Sequence, residues 1–135
     1  MNGHASDIFC LVLLKNGNLV SGSLDETIKI WNLKNGLCVC TLTGHDDAIT
    51  SLELKNTGEL ISVSVDGIIK IWNLEDKVWI KTLSSDIKNS MEFIISFQDS
   101  IITNDDNAIK AIHLESQESI KKIEGRHAIK CLIII

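Results

Sequence analysis

Proline and tyrosine are absent from the 135 residues and phenylalanine occurs three times, so a core has to be assembled mainly from Ile, Leu and Val. Those gaps exclude no function. The shortage of positive charge excludes more. The net charge is −5 and the 13 Lys and Arg are scattered among acids, which leaves no basic stripe to track a phosphate backbone. Nucleic acid is therefore not an expected partner. The longest apolar runs, such as residues 11–14 and 132–135, are far shorter than the roughly 20 residues that span a bilayer, so no membrane partner is expected either. The start of the chain lacks the basic end and long apolar stretch of a secretory signal. The expected location is the cytoplasm, with the nucleus also open to the protein.

What is present is repetition. SGSLDETIKIWNL at residues 21–33 returns as SVSVDGIIKIWNL at 62–74, and Trp31 to Trp72 is a step of 41 residues. Gly3-His4 returns as Gly44-His45, and Asp25 as Asp66, on the same step. A worn third copy at 104–114 lays onto 64–74, keeping Asp106 but placing Ile112 where Trp stood and His113 in place of Asn73. Ile129-Lys130-Cys131-Leu132 begins a fourth by echoing Ile8-Phe9-Cys10-Leu11. The units run over 1–43, 44–84 and 85–124, with another starting at 125–135, and they abut as one domain. A period of this length marks units that cannot bury their apolar faces alone.

Within each unit the pattern alternates with period 2 and is broken by Asn, Asp and Gly every eight to twelve residues, which predicts short antiparallel strands. They fall at 8–14, 19–23, 28–33 and 37–42, then 49–54, 60–65, 68–74 and 78–83, then 91–97, 101–104, 108–114 and 119–123, with a last one at 128–135. Helical spacing is absent.

Sharper chemistry can be sought and is not found. His45, Asp46, Asp47 and Asp66 have the residue types of an acid, base or metal set, yet their partial recurrence with the repeat points to architecture. Cys38 and Cys40 lie two apart on one strand, awkward for a disulfide or for holding one ion. Cys10 and Cys131 hold the place of Ser51, as small packing residues on an innermost strand. Asp105-Asp106-Asn107 lacks the glycine and distal glutamate of a calcium loop. No phosphate loop and no Gly-x-Ser-x-Gly elbow occurs, so no nucleophile is nominated. His113 and His127 escape the repeat argument and are read as exposed outer-strand residues.

Gly-His, Ser-x-Ser-x-Asp and Ile-Lys-Ile-Trp-Asn at these spacings resemble the WD-repeat β-propeller family over nearly the whole chain, with Trp-Asn for the signature Trp-Asp. The resemblance implies an all-β partial propeller of four-stranded antiparallel blades. It also implies a hydrogen-bonded tetrad in each of two units: His4, Ser21 or Ser23, Asp25 and Trp31, then His45, Ser62 or Ser64, Asp66 and Trp72. The third unit, with Ser85-Asp86 for Gly-His and Ile112 for Trp, would lack it. Partner contacts are implied at the blade tops, here Ser6, Leu24, Asp47, Val65 and Asp105.

The resulting expectation is a non-enzymatic scaffold or adaptor that binds other proteins without metal or cofactor. The alternative is the substrate receptor of a multi-protein enzyme complex such as a ubiquitin ligase. About three and a quarter units cannot close a ring, so the chain is expected to be a fragment of a larger propeller or a truncated gene product, with self-association through open blade edges as the competing outcome.

Overall fold

The computed structural model describes residues 3–84, 94–97, 100–105, 108–116 and 119–124, and every element among them is a strand. The first sheet is β1 (Ile8–Leu13), β2 (Asn18–Ser23), β3 (Ile28–Asn32) and β4 (Leu37–Leu42). The second is β5 (Ile49–Leu54), β6 (Leu60–Ser64), β7 (Ile68–Asn73) and β8 (Val78–Ser84). The third is β9 (Ile94–Phe97), β10 (Ser100–Asp105), β11 (Ala108–His113) and β12 (Ser119–Glu124). Each is an antiparallel meander in chain order, and none closes into a barrel. The expected strand at 128–135 and residues 91–93 of the ninth lie outside the described residues.

Turn chemistry explains why the chain reverses where it does. Gly17, Gly36, Gly58 and Gly67 adopt φ of +84°, +69°, +98° and +80°, a region glycine enters without a Cβ penalty. The Gly17 N–H donates to the Leu14 carbonyl and the Gly58 N–H to that of Lys55, both at 2.9 Å. Glu26 and Lys77 have φ of +66° and +59°, and they stand where the other unit carries Gly67 and Gly36.

The first two blades are distorted at matching places. Ile8 and Cys10 of β1 pair with adjacent residues of β2, so Phe9 bulges out, as Thr50 does in β5. Val39 and Ile80 are the extra residues of β4 and β8. The bulge at Val39 overturns the plain alternation assumed for Cys38 and Cys40, because Cys38 opposes Trp31 and Cys40 opposes Ile30.

The blades stack face to face through two apolar layers. Val20, Ile28, Ile30 and Leu42 of the first meet Ile49, Leu52, Leu60 and Trp72 of the second. Ile61, Val63, Ile69, Ile71 and Leu83 of the second meet Ile94, Ile101, Ile112 and Leu114 of the third. A fully buried aliphatic side chain of this size contributes about 1.5–3 kcal/mol, so the stack rather than any single sheet holds the fold.

The third unit departs from the register read in the sequence. Asp105 opposes Ala108 with two residues between them in the sequence, whereas β6 ends at Ser64 and β7 begins at Ile68 after three residues. The hairpin is one residue shorter, so Asp105 takes the place of Ser64 and not that of Val65. Thr103, fully buried, then falls where Ser62 stands in the second blade.

Candidate protein-interaction site

The tops of the first two blades are built on side-chain networks of different completeness. In the first, the Trp31 Nε1–H donates to Ser21 Oγ at 2.7 Å, and Ser21 Oγ lies 2.7 Å from His4 Nε2. His4 Nδ1 is 2.9 Å from Asp25 Oδ2. A carboxylate only accepts, so Nδ1 carries the proton, Nε2 accepts from the Ser21 hydroxyl, and the chain runs Trp31 to Ser21 to His4 to Asp25. Asp25 is further held by the Thr27 hydroxyl at 2.6 Å and the Ala5 N–H at 2.8 Å. Burial raises its pKa, but the Thr27, Ala5 and His4 donors outweigh burial and keep the carboxyl well below the usual range.

In the second blade the Trp72 Nε1–H donates to Ser62 Oγ at 2.8 Å and His45 Nε2 lies 2.6 Å from the same oxygen. There the chain stops. His45 Nδ1 is buried without a hydrogen-bond partner, and Asp66 is exposed, accepting instead from the Ser64 hydroxyl and from the Ile68 N–H at 3.0 Å. The expected tetrad of His45, Ser62, Asp66 and Trp72 is therefore a triad, because Asp66 serves its own turn. Burial pushes the His45 imidazole down to about 4, aided by Lys70 and opposed by Asp66 and Asp46.

The open choice of serine resolves the same way in both blades. Ser21 and Ser62 carry the Trp and His bonds, while Ser23 and Ser64 shape the turn above. The Asp25 N–H donates to Ser23 Oγ at 3.1 Å, and the Ser23 hydroxyl reaches the Ser6 carbonyl at 3.4 Å. Thr27 was not foreseen as part of the first network. Its signal was available as the place where the units differ, Ile68 standing in the second.

The residues expected to meet a partner sit above these networks. Leu24 is 45% exposed, and its N–H donates to the Asp7 carbonyl at 2.9 Å; Val65, half-buried, donates to the Ala48 carbonyl at 3.0 Å in the matching bond. Each bond ties the turn after the second strand to the approach to the innermost one. Ser6 is exposed, and Asp47, half-buried, accepts from the Ala48 N–H at 2.7 Å. Asp105 is the last residue of β10, at the place of Ser64.

Two further expectations change. His113 ends the third strand, half-buried, and not an outer one; its Nδ1 accepts from the Glu115 and Ser116 N–H groups at 3.2 and 3.4 Å. Asn32 and Asn73 do the same for Lys34 and Glu75 at 2.9 Å, so His113 substitutes for the repeat's Asn as a turn cap. Among the described residues Cys10, Cys38 and Cys40 are free thiols and no three His, Cys, Asp or Glu side chains group as a metal site. Cys131, His127 and Asp106 lie outside the described residues.

Comparison with known proteins agrees with this geometry. A stretch of 44 residues, 33% of this chain, is 36% identical to cell division control protein 4 of Saccharomyces cerevisiae and spans 6% of that protein. The family profile described as WD domain, G-beta repeat matches residues 1–32 and 36–73; the second match takes β4 together with β5, β6 and β7, the outer strand of one blade and three of the next. With more than half of its residues matched, the chain belongs to the WD-repeat family.

Proposed function

We propose that the chain is an adaptor that holds a partner protein across its blade tops, with Leu24 as the apolar anchor. WD-repeat proteins are generally non-enzymatic scaffolds for protein interactions. The observation that carries the reading is an exposed Leu on a backbone fixed to Asp7, over a network that locks the turn. Around it the top segments 3–7, 22–27, 43–50 and 63–68 contain Asp7, Asp25, Glu26, Asp46, Asp47 and Asp66 and no Lys or Arg. The partner segment is accordingly an apolar side chain flanked by basic ones, steered by the acidic rim. Affinity capture with the wild type and with Leu24→Lys and Asp47→Lys variants of unchanged circular dichroism tests this. Loss of captured proteins in both supports the assignment; an unchanged set removes it.

A second reading makes the blades the substrate-receiving part of a multi-protein enzyme complex, favoured by the repeat-length stretch shared with the yeast cell-division protein. Co-purification of a ubiquitin-transferring activity separates the two. Its absence from an otherwise intact complex leaves the plain adaptor.

A further inference from the structure

The outer strand of the second blade breaks the repeat. Trp79 on β8 stands where β4 carries Cys38, opposing Trp72 as Cys38 opposes Trp31. The substitution is accommodated on several sides. The Trp79 ring lies edge-on to Trp72 with ring centres 5.8 Å apart, and the Lys70 ammonium sits 4.5 Å from its centre. A Cβ on Gly44 would come within 2.6 Å of the same ring, whereas one on Gly3, the matching glycine, would meet nothing within 4 Å. Trp79 is nevertheless 47% exposed, between Val78 at 49% and Ile80 at 54%. An anchored aromatic that still faces water has little side-chain freedom left to lose on binding.

The surroundings are basic. The outer hairpins, residues 28–42 and 68–84, hold Lys29, Lys34, Lys70, Lys77 and Lys81 against Glu75 and Asp76, in a chain of net charge −5. Lys77 and Lys81 flank the exposed triplet and make no ion pair among the described residues. β8 is also the edge of its sheet, so one side of its backbone has no partner strand among those residues. The second blade has a neighbour on each face, so this exposure belongs to the rim.

We propose that an extended, acidic and apolar segment of another protein docks along β8, with an apolar side chain on Trp79 and carboxylates on Lys77 and Lys81. Consecutive exposed apolar residues on an open edge mark a contact. Trp79 and Lys81 oppose Trp72 and Ile71, which pack toward different blades; a segment that alternates apolar and acidic residues therefore matches both sides of β8 at once. The bulge at Ile80 and the two lysines guard the edge against a second copy, which would bring lysine to lysine. A bilayer is disfavoured too, because the free backbone groups of the edge would lose water without gaining partners. The contact uses β8 and not the top turns. The chain would thus join two partners of opposite charge, and failure here leaves the reading of Leu24 untouched.

The probe is a fluorescein-labelled, acetylated peptide alternating Asp with Ile and Phe, beside its counterpart with Lys for Asp. Anisotropy against the 135-residue chain reads binding. The acidic peptide should bind, more weakly as salt rises, and the basic one should not. Ile80→Glu and Lys81→Glu should each weaken binding about tenfold and Trp79→Ala about thirtyfold. Lys15→Glu, the same charge change in the turn after β1, should leave it unchanged. If Trp79→Ala does not fold, Ile80→Glu and Lys81→Glu decide alone. No binding of the acidic peptide, equal binding of the basic one, or indifference to the β8 variants overturns the proposal. Binding to phosphatidylserine vesicles in place of the peptide also overturns it and makes the flank a membrane contact.

Discussion

Ser62 Oγ lies 2.6 Å from His45 Nε2 while it accepts the Trp72 indole N–H at 2.8 Å, so one hydroxyl serves two buried rings. Ser62→Ala strands both. An unsatisfied buried donor costs about 1–3 kcal/mol, and Trp72 is only 1% exposed, which denies water to its N–H. Ser21→Ala, beneath the half-buried Trp31, should cost less. Urea unfolding of the two variants checks the order; equal losses would mean that blade 1 is as closed as blade 2.

The unequal networks give two pH windows. His45 is depressed to about 4 in the fold against about 6.5 unfolded, so between these values the unfolded chain binds the extra proton. Stability therefore falls as pH drops from about 6.5 toward 4. Asp25 is also depressed, but its contribution is intact above the ordinary Asp value of about 3.9 and is lost only as pH falls below it. His45→Gln should flatten the upper window and Asp25→Asn the lower. Chemical denaturation at stepped pH reads both, and an upper slope that survives His45→Gln would place it elsewhere.

The 41-residue step made most of this fold legible. It located eleven of the twelve described strands to within two residues at each end, and the ninth at its far end. It narrowed the network serine to Ser21 or Ser23 and to Ser62 or Ser64 but could not choose within either pair, because both members repeat and residues two apart on a strand share a face. It failed where the units differ. Asp66 copies Asp25 in sequence, yet its bond partner depends on side-chain geometry in a turn with Gly67 for Glu26 and Ile68 for Thr27. The shortened hairpin at Asp105 was invisible because Ala108 and Ile109 fit either register by residue type. Bulges at Val39 and Ile80 leave no mark in a pattern of mixed apolar residues.

Repetition also exposes two strained positions. Glu26 and Lys77 have positive φ where the other unit has Gly. A left-handed backbone costs a residue with Cβ about 1–2 kcal/mol, while a new Gly returns about 0.4–1 kcal/mol to the unfolded chain. Glu26→Gly and Lys77→Gly should each be neutral or stabilising by up to about 1 kcal/mol. Thermal unfolding checks this, and a fall in melting temperature would assign the Glu26 or Lys77 side chain a contact of its own.

Cys10 offers a chemical probe of the first interface. Burial pushes its thiol up to about 12, with the Gly22 backbone opposing, and the thiolate is the reactive species. At pH 8, iodoacetamide should modify Cys38 and Cys40, on an outer strand, well before Cys10. Peptide mapping by mass spectrometry reads the order. Comparable rates at all three would mean that β1 separates from β5 in solution.

Gly22 lies where the first two blades pack closely. A Cβ built there would lie 2.5 Å from Ile49 Cγ2 and 2.7 Å from Cys10 Sγ, and Ile49 is fully buried in the layer that joins the blades. The second blade has Val63 at this place, so the small residue reflects the fit between these two sheets rather than a demand of the strand. Gly22→Ala should overpack the layer and cost about 1–3 kcal/mol, and Gly22→Val more. Gly3→Ala, whose Cβ would meet nothing within 4 Å, is the control. In an Ile49→Ala background, which lacks the Cγ2 that the new Cβ would meet, Gly22→Ala should cost less. A double-mutant cycle by urea unfolding measures that coupling, and strict additivity would show that the blades are held apart by something other than Ile49.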